Sequence, residues 1–289
     1  MFRGTATAIV TPFKKDGSID EDGLRRLVDF QEENGVNTIV PCGSTGESAM
    51  LSHEEHVYVI KVVVDQVKKA KVMAGAGSNC TAEAVMLTKK AADLGVDGIL
   101  SISPYYVKPT QEGIYEHFKA IAEASDAPVV VYNVPGRTSS NVDAATTLRL
   151  AQVPGIAAIK EASGNLAQIE KIIRDRPRGF EVLSGDDALT VKLVAKGADG
   201  VISVAANCCP DKVSNMVNLA LEGRKDEAEA IENYMTPLFK ALFVESNPIP
   251  IKYVMGRLGY GDGRPRLPLT PLSAEGRSKL DPVLEQMNI

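Results

Sequence analysis

The chain has 289 residues, of which 44% are hydrophobic and 24% are charged, and its formal net charge at pH 7 is -5. This composition is typical of a globular protein, and the length is sufficient for a sizeable core. The acidic balance argues against nucleic acid or an anionic membrane as the main partner, because both are bound by basic surfaces.

Short apolar runs alternate with amphipathic helical patterns along residues 1–224. The predicted strands cover residues 5–10, 38–40, 72–74, 98–102, 128–132, 156–160, 181–183 and 200–204. The helices predicted after them cover residues 20–33, 52–69, 81–94, 111–124, 143–151, 165–175, 187–196 and 210–222. Eight strand–helix units predict an α/β fold with a parallel sheet closed into a (β/α)8 TIM barrel. The alternative is an open doubly wound sheet, which the absence of a Gly-x-Gly-x-x-Gly motif in the first unit disfavours.

The alternation stops at residue 225, and residues 225–289 are predicted to form a C-terminal helical region. Its helices are predicted over residues 225–245, 250–258 and 273–287, with Pro-rich and Gly-rich breaks between them. We expect this region to be an appendage or an oligomer contact with no chemistry of its own.

No run of residues approaches the roughly 18 apolar residues of a membrane span, and no secretory segment is recognisable. The sequence therefore predicts a cytoplasmic protein. The four cysteines, Cys42, Cys80, Cys208 and Cys209, include no Cys-x-x-Cys pair. We expect them to be small buried side chains in a reducing compartment.

Lys160 stands directly after a short apolar run that is typical of a buried strand. Desolvation at such a strand end lowers the pKa of a lysine and frees its amine to attack a carbonyl. The ordinary alternative is a lysine whose amine reaches solvent. The neighbouring loops decide between the two.

In a TIM barrel the active site lies at the carboxyl ends of the strands. The loops predicted there are polar and rich in glycine, and they carry Ser44, Tyr132, Arg137 and Lys160 on one rim. Taken singly, Ser44 could cap a turn, Tyr132 could be a packed aromatic and Arg137 could be a solvated cation. Their placement beside a strand-end lysine favours a functional site, with Tyr132 and Lys160 on neighbouring strands.

These residue types suit an imine-forming aldolase for a 2-keto acid. A lysine amine forms an imine with a ketone, and the imine allows deprotonation to an enamine. Tyr132, polarised by Ser44 and a second tyrosine, can move protons. Backbone N–H groups of the Gly-Ser-Thr-Gly loop suit one carboxylate, and Arg137 suits another. Since the imine is the electron sink, no metal or other cofactor is predicted, and we interpret Asp186-Asp187 as a helix start.

Four motifs resemble a known family: Gly43-Ser-Thr-Gly-Glu47, Tyr105-Tyr106, Tyr132-Asn-Val-Pro-x-Arg-Thr138 and Ile159-Lys-Glu-Ala-Ser-Gly-Asn165. The chain is similar nearly from end to end to the dihydrodipicolinate synthase (4-hydroxy-tetrahydrodipicolinate synthase) family, in the superfamily that includes N-acetylneuraminate lyase. The resemblance implies a TIM barrel with a C-terminal helical region, usually a homotetramer. It also implies condensation of pyruvate with L-aspartate 4-semialdehyde on the diaminopimelate route to L-lysine.

The resemblance also implies roles for individual residues. They are Lys160 for the imine with pyruvate, Tyr132 for proton transfer, Ser44 and Tyr106 for the relay, Thr45 for the pyruvate carboxylate, Arg137 for the semialdehyde carboxylate, and Ile202 as lining. Tyr106 is expected to reach in from a neighbouring subunit. Many family members have threonine at the position of Ser44, and the hydroxyl is kept here.

A second set of residues concerns regulation. The sequence His53-Glu-Glu-His56 lacks the spacing of a His-Glu-x-x-His metal site. Lysine-inhibited family members bind L-lysine at the dimer interface through residues that match Ser48, Ala49, His53, His56, Asn79, Glu83 and Tyr105. The resemblance therefore implies feedback inhibition by L-lysine.

Two other functions stay open. One is another pyruvate-dependent Schiff-base lyase that acts on a sugar acid, against which Arg137 argues, because an aliphatic residue is expected there in neuraminate lyases. The other is a non-catalytic barrel that senses a keto acid or an amino acid, which the combination of Lys160, Tyr132 and the hydroxyl relay disfavours.

Overall fold

The computed structural model describes all residues 1–289 and contains eight parallel strands that close into a barrel in chain order. The strands are β1 (Gly4–Ala8), β2 (Thr38–Val40), β3 (Lys71–Gly75), β4 (Gly98–Ile102), β5 (Val129–Asn133), β6 (Ile156–Glu161), β7 (Glu181–Ser184) and β8 (Gly200–Ser203). The barrel closes where β1 pairs with β8. The predicted TIM-barrel fold is confirmed.

Helices follow the strands around the outside of the barrel. They are α1 (Glu21–Glu33), α2 (His53–Gln66), α3 (Thr81–Asp93), α4 (Gln111–Ala122), a single turn α5 (Pro135–Thr138), α6 (Ala144–Leu150), α7 (Leu166–Asp175), α8 (Thr190–Ala195) and α9 (Pro210–Leu221). The C-terminal region adds α10 (Lys225–Ala241), α11 (Ile249–Arg257) and α12 (Ala274–Met287). The predicted helical C-terminal region is therefore present.

Local sequence explains where α2 begins and how the barrel closes. Ser52 and Glu55 form a capping box at the start of α2, because each side chain bonds the backbone N–H of the other. Gly200 has a φ of +152°, and a Cβ there would lie 2.0 Å from the backbone oxygen of Gly4. Only a glycine permits the close approach of β8 to β1 at this point.

The core has two layers. Twelve buried residues, among them Ala158, Leu183 and Ile202, fill the inside of the barrel. A larger cluster lies between strands and helices and continues into the C-terminal helices through Leu238 and Ile251. The C-terminal helices therefore share the core of the barrel.

Cys42, Cys208 and Cys209 are buried as expected, whereas Cys80 is exposed at the start of α3, contrary to the expectation. None of the helices combines the length and the apolar character needed to cross a membrane.

Candidate active site

A cavity of about 640 Å³ lies at the carboxyl ends of the strands and brings together five of the predicted site residues. They are Ser44, Thr45, Tyr132, Arg137 and Lys160. The polar loops predicted on one rim therefore do meet in one place.

Lys160 and Tyr132 are directly paired in register across β6 and β5, which confirms that they end neighbouring strands. The Nζ atom of Lys160 lies 4.3 Å from the centroid of the Tyr132 ring. The Lys160 side chain is nearly buried, with 5% of the residue exposed. Burial lowers the pKa of Lys160 to about 8, the Asp187 carboxylate opposes this shift, and the Arg137 charge adds to it. The amine is thus deprotonated far more often near neutral pH than an ordinary lysine.

Burial also raises the pKa of Tyr132, while the Arg137 charge and a hydrogen bond with Ser44 act in the opposite direction. The phenol therefore keeps its proton at neutral pH and is available as a donor. Ser44 and Tyr132 together supply two of the three hydroxyl groups that the sequence predicts for proton transfer.

The orientation of Lys160 is fixed by its neighbour in β6. Glu161 points to the other side of the strand, where its carboxylate accepts hydrogen bonds from Asn133 Nδ2 at 3.2 Å, Gln168 Nε2 at 3.1 Å and the Ser163 N–H at 2.8 Å. Gly185 packs close to the lysine, because a Cβ at this position would lie 3.1 Å from Lys160 Cε. The hydrogen bonds of Glu161 fix one face of β6, and Lys160 on the other face lines the cavity.

The C-terminal region, expected to be an appendage or an oligomer contact with no chemistry of its own, also forms part of the cavity wall. Asn247 Nδ2 donates to Thr45 Oγ1 at 3.0 Å, and Arg137 Nη2 donates to the Asn247 carbonyl at 3.0 Å. Phe243 and Glu245 also line the cavity. The sequence Asn247-Pro-Ile-Pro250 was a signal of irregular backbone, but its contacts with the barrel could not be inferred from local pattern.

Asp187 is a cavity residue as well as part of the turn that follows β7. Asp186 caps that turn by accepting from the Ala188 N–H at 2.9 Å, as the interpretation of a helix start requires. Asp187 is buried instead, and its Oδ2 accepts from the N–H groups of Val204 and Ala205, both at 3.0 Å. Its Oδ1 has no hydrogen-bond partner.

Two predicted residues lie outside this cavity. Ile202 is fully buried in the barrel interior, and Val204 lines the cavity on the β8 side. Tyr106 is 86% exposed, in a left-handed backbone conformation with a φ of +71°. A single chain therefore does not bring Tyr106 to Ser44 and Tyr132.

A second cavity, of about 420 Å³, adjoins the first and contains most of the residues predicted for an inhibitor. Ser48, Ala49, His53, His56, Glu83 and Tyr105 line it. Asn79 is half-buried nearby and does not line it, whereas Ser78 does. The walls of both cavities include Ser44, Tyr132 and Arg137, so the two spaces meet at the proposed catalytic residues.

The second cavity is suited to a cation. Glu83 Oε1 lies 2.7 Å from His53 Nε2, and Ser78 donates to the other oxygen. These two bonds, Ser78 first, hold the pKa of Glu83 below its usual value, so it is an anion at neutral pH. Burial lowers the pKa of His56, whose Nε2 donates to the Gly75 carbonyl at 2.6 Å. A carboxylate beside a neutral imidazole favours a ligand that carries an ammonium group.

A buried ion pair supports the loop between the two cavities, and sequence analysis missed it. Glu47 Oε1 lies 2.7 Å from Lys252 Nζ, and both side chains are almost fully buried. Lys252 also donates to the Thr11 carbonyl, and Glu47 Oε2 accepts from the Arg266 N–H at 2.8 Å. Helix α11 thus fixes the end of the Gly43–Glu47 loop, in which Glu47 has a φ of +59°.

Comparison with known proteins gives a consistent result over the full length of the chain. The model of the dihydrodipicolinate synthetase family matches residues 1–287. A 4-hydroxy-tetrahydrodipicolinate synthase from Chloroherpeton thalassium is 49% identical over 288 residues, which are 99% of this chain and 95% of that relative.

Solved structures match over the same length. A dihydrodipicolinate synthase from Acinetobacter baumannii, complexed with pyruvate, has a TM-score of 0.98 and 43% identity, with 100% of both chains covered. A structure from Cyanidioschyzon merolae with lysine bound has a TM-score of 0.96 and 43% identity, with 99% of this chain and 98% of that chain covered.

Proposed function

The chain belongs to the dihydrodipicolinate synthetase family, and we propose that it condenses pyruvate with L-aspartate 4-semialdehyde through an imine at Lys160. It is an enzyme of the lyase class, as its curated relatives are. The observation that carries the proposal is a buried lysine, with its pKa lowered to about 8, against Tyr132 in the wall of the cavity at the carboxyl ends of the strands.

The first half of the reaction follows from these two residues. The neutral amine of Lys160 attacks the ketone carbon of pyruvate, and loss of water with uptake of one proton gives the protonated imine. Removal of a methyl proton then gives an enamine, which is the carbon nucleophile. In this proposal Tyr132, which is hydrogen-bonded to Ser44, gives and accepts the protons of these steps. The imine is the electron sink, so the proposed reaction uses no further cofactor.

The second substrate carries both a carboxylate and an ammonium group, and the charges of the cavity wall match it. Arg137 presents a guanidinium on one side, which is suited to bind a carboxylate with two hydrogen bonds. Asp186 and Glu245 supply carboxylates elsewhere in the wall, which suit the ammonium group. A sugar aldehyde lacks both charges, and therefore the wall favours the amino-acid aldehyde.

Steady-state assays with two aldehydes test this proposal. With pyruvate present, we expect turnover of L-aspartate 4-semialdehyde and none of a neutral sugar aldehyde. R137L should remove most of the turnover by raising KM for the semialdehyde, while pyruvate is still bound. Turnover of the sugar aldehyde alone would support the sugar-acid lyase, and binding of pyruvate without any turnover would support the sensor.

We further propose that L-lysine inhibits the enzyme from the second cavity. The supporting observations are the anionic Glu83, the neutral His56 and the walls shared with the active site at Tyr132 and Arg137. The lysine-bound relative adds support. Initial rates with and without saturating L-lysine test the proposal: inhibition is expected for the wild type and is weakened in E83Q. Unchanged rates in the wild type would refute it.

The proposed assembly is a homotetramer, in which Tyr106 enters the active site of a neighbouring subunit. Its support is the exposure of Tyr106 and of the adjacent Val107 on one chain. Sedimentation velocity should show a tetramer, and a dilution that dissociates it should lower the specific activity. A fully active monomer would contradict this part of the proposal.

A further inference from the structure

We infer that Asp187 is a positioning residue that supplies the counter-ion for the protonated imine at Lys160. This inference rests on the proposed function. It starts from a feature that the proposed chemistry leaves unexplained, which is a buried carboxylate with one fixed oxygen and one free oxygen in the wall of the same cavity.

The anchoring of Asp187 is specific. Two successive N–H groups, of Val204 and Ala205, donate to Oδ2 at 3.0 Å each, so the carboxylate cannot turn away from the cavity. Oδ1 is buried and has no hydrogen-bond partner. Burial raises the pKa of Asp187, whereas the neighbouring Ser203 hydroxyl and the two N–H groups favour the ionised carboxylate. A buried oxygen without a partner is costly, and a cation that forms nearby would offset that cost.

Lys160 is the residue at which such a cation forms. Gly185, two residues before Asp187, has its Cα so close to the lysine that an added Cβ would lie 3.1 Å from Lys160 Cε. The turn that carries Asp187 therefore packs directly on the lysine side chain. The Asp187 charge is also the main influence that opposes the lowering of the Lys160 pKa by burial.

The other ionisable groups around the cavity do not replace Asp187. Tyr132 from β5, Arg137 from α5, Asp186 from the turn and Glu245 from the C-terminal segment line it. Arg137 repels a cation at Lys160. Asp186 accepts from the Ala188 N–H, and Glu245 accepts from Ser273. Cys208 is the remaining titratable neighbour of Asp187, and its pKa is raised in part by that charge.

This arrangement resolves a conflict in the proposed reaction. A dry site favours the neutral amine that attacks pyruvate, but it disfavours the positive charge that appears when the carbinolamine loses water and takes up one proton. A fixed carboxylate with a free oxygen stabilises that charge without the reorganisation that solvent would need.

Labelling of Lys160 in the absence of pyruvate gives the first test. Trace acetic anhydride and peptide mass mapping over a pH series should give a midpoint near the pKa of about 8 in the wild type. In D187N the midpoint should fall by about one pH unit or more, because the amine loses its anionic neighbour. D186N, from the same turn, is the matched control and should keep the wild-type midpoint. D187S is a second neutral variant, and both keep an oxygen for the backbone N–H groups.

Borohydride trapping with pyruvate gives the second test. At pH 9 the amine is largely neutral in both proteins, so D187N should need at least about tenfold more pyruvate for half-maximal trapping. At pH 6 the starting ammonium ion and the protonated imine both lack the Asp187 counter-ion in D187N. The difference in trapping between D187N and the wild type should therefore largely disappear.

A merely structural role of Asp187 would weaken trapping equally at both pH values. That result, or a wild-type labelling midpoint in D187N, would overturn the inference. If the wild type itself is not trapped, the imine proposal fails, and the labelling result still stands separately.

Discussion

The amine of Lys160 lies over the ring of Tyr132, 4.3 Å from its centroid, and the two residues are paired across β6 and β5. This relationship places the group that forms the imine beside the group proposed to move its protons. Neither residue depends on a loop for its position, because both stand at the ends of paired strands inside one barrel.

Removal of the Tyr132 hydroxyl should slow proton transfer without preventing imine formation. We expect Y132F to lower kcat by about 100-fold or more, as is usual when a general acid–base group is lost. Lys160 should still be trapped by borohydride with pyruvate in Y132F. A variant with near wild-type kcat would remove Tyr132 from the relay.

The pH dependence of the first half-reaction should follow Lys160. Its pKa is lowered to about 8, so the reactive neutral amine increases as the pH rises from 6 to 9. The value of kcat/KM for pyruvate should therefore rise about tenfold per pH unit below pH 8 and level off above it. A profile that is flat between pH 6 and 9 would contradict the assignment of the nucleophile.

Acid stability should depend on His117, which lines neither cavity. Burial lowers the pKa of His117 to about 4, whereas an unfolded histidine titrates near 6.5. Because the folded pKa is the lower one, this contribution is fully present above pH 6.5 and is lost as the pH falls toward 4. The difference between the folded and unfolded pKa values corresponds to a loss of about 3 kcal/mol in the free energy of unfolding.

Urea unfolding of the wild type and H117Q at pH 7 and pH 4.5 measures this effect. H117Q should lose less stability between the two pH values than the wild type does. The Thr81 hydroxyl, which lies 2.9 Å from His117 Nδ1 in the wild type, is unchanged in H117Q. Equal losses in the two proteins would exclude His117 as the acid-sensitive group.

The buried pair Glu47–Lys252 should be important for stability. K252M leaves the Glu47 carboxylate buried without its cation, which costs about 3–5 kcal/mol. The double variant E47Q/K252M should recover part of that loss, because no charge is left unpaired. K279M, which breaks the exposed pair with Glu275, is the control and should change the free energy of unfolding by less than about 1 kcal/mol. A loss in K252M no larger than in K279M would show that the buried pair is dispensable.

The sequence was sufficient to place all eight strands to within two residues at either end, because short apolar runs are local signals. It placed Lys160 and Tyr132 on adjacent strands correctly. It was not sufficient for Asn247, Asp187 or Lys252, whose roles depend on partners distant in the chain. Asn247 bonds Thr45 across 202 positions, and Lys252 bonds the Thr11 carbonyl across 241. Hydrophobic periodicity does not predict such contacts. Local sequence also does not distinguish a buried aspartate such as Asp187 from one that caps a helix.

Trapping of the imine tests the central claim most directly. Borohydride reduction of the enzyme with pyruvate, followed by peptide mass mapping, should give one stable adduct, on Lys160. Lys252, the other almost fully buried lysine, is paired with Glu47 and should remain unmodified. An adduct on another lysine, or none on a folded enzyme that still turns over its substrates, would contradict the imine at Lys160.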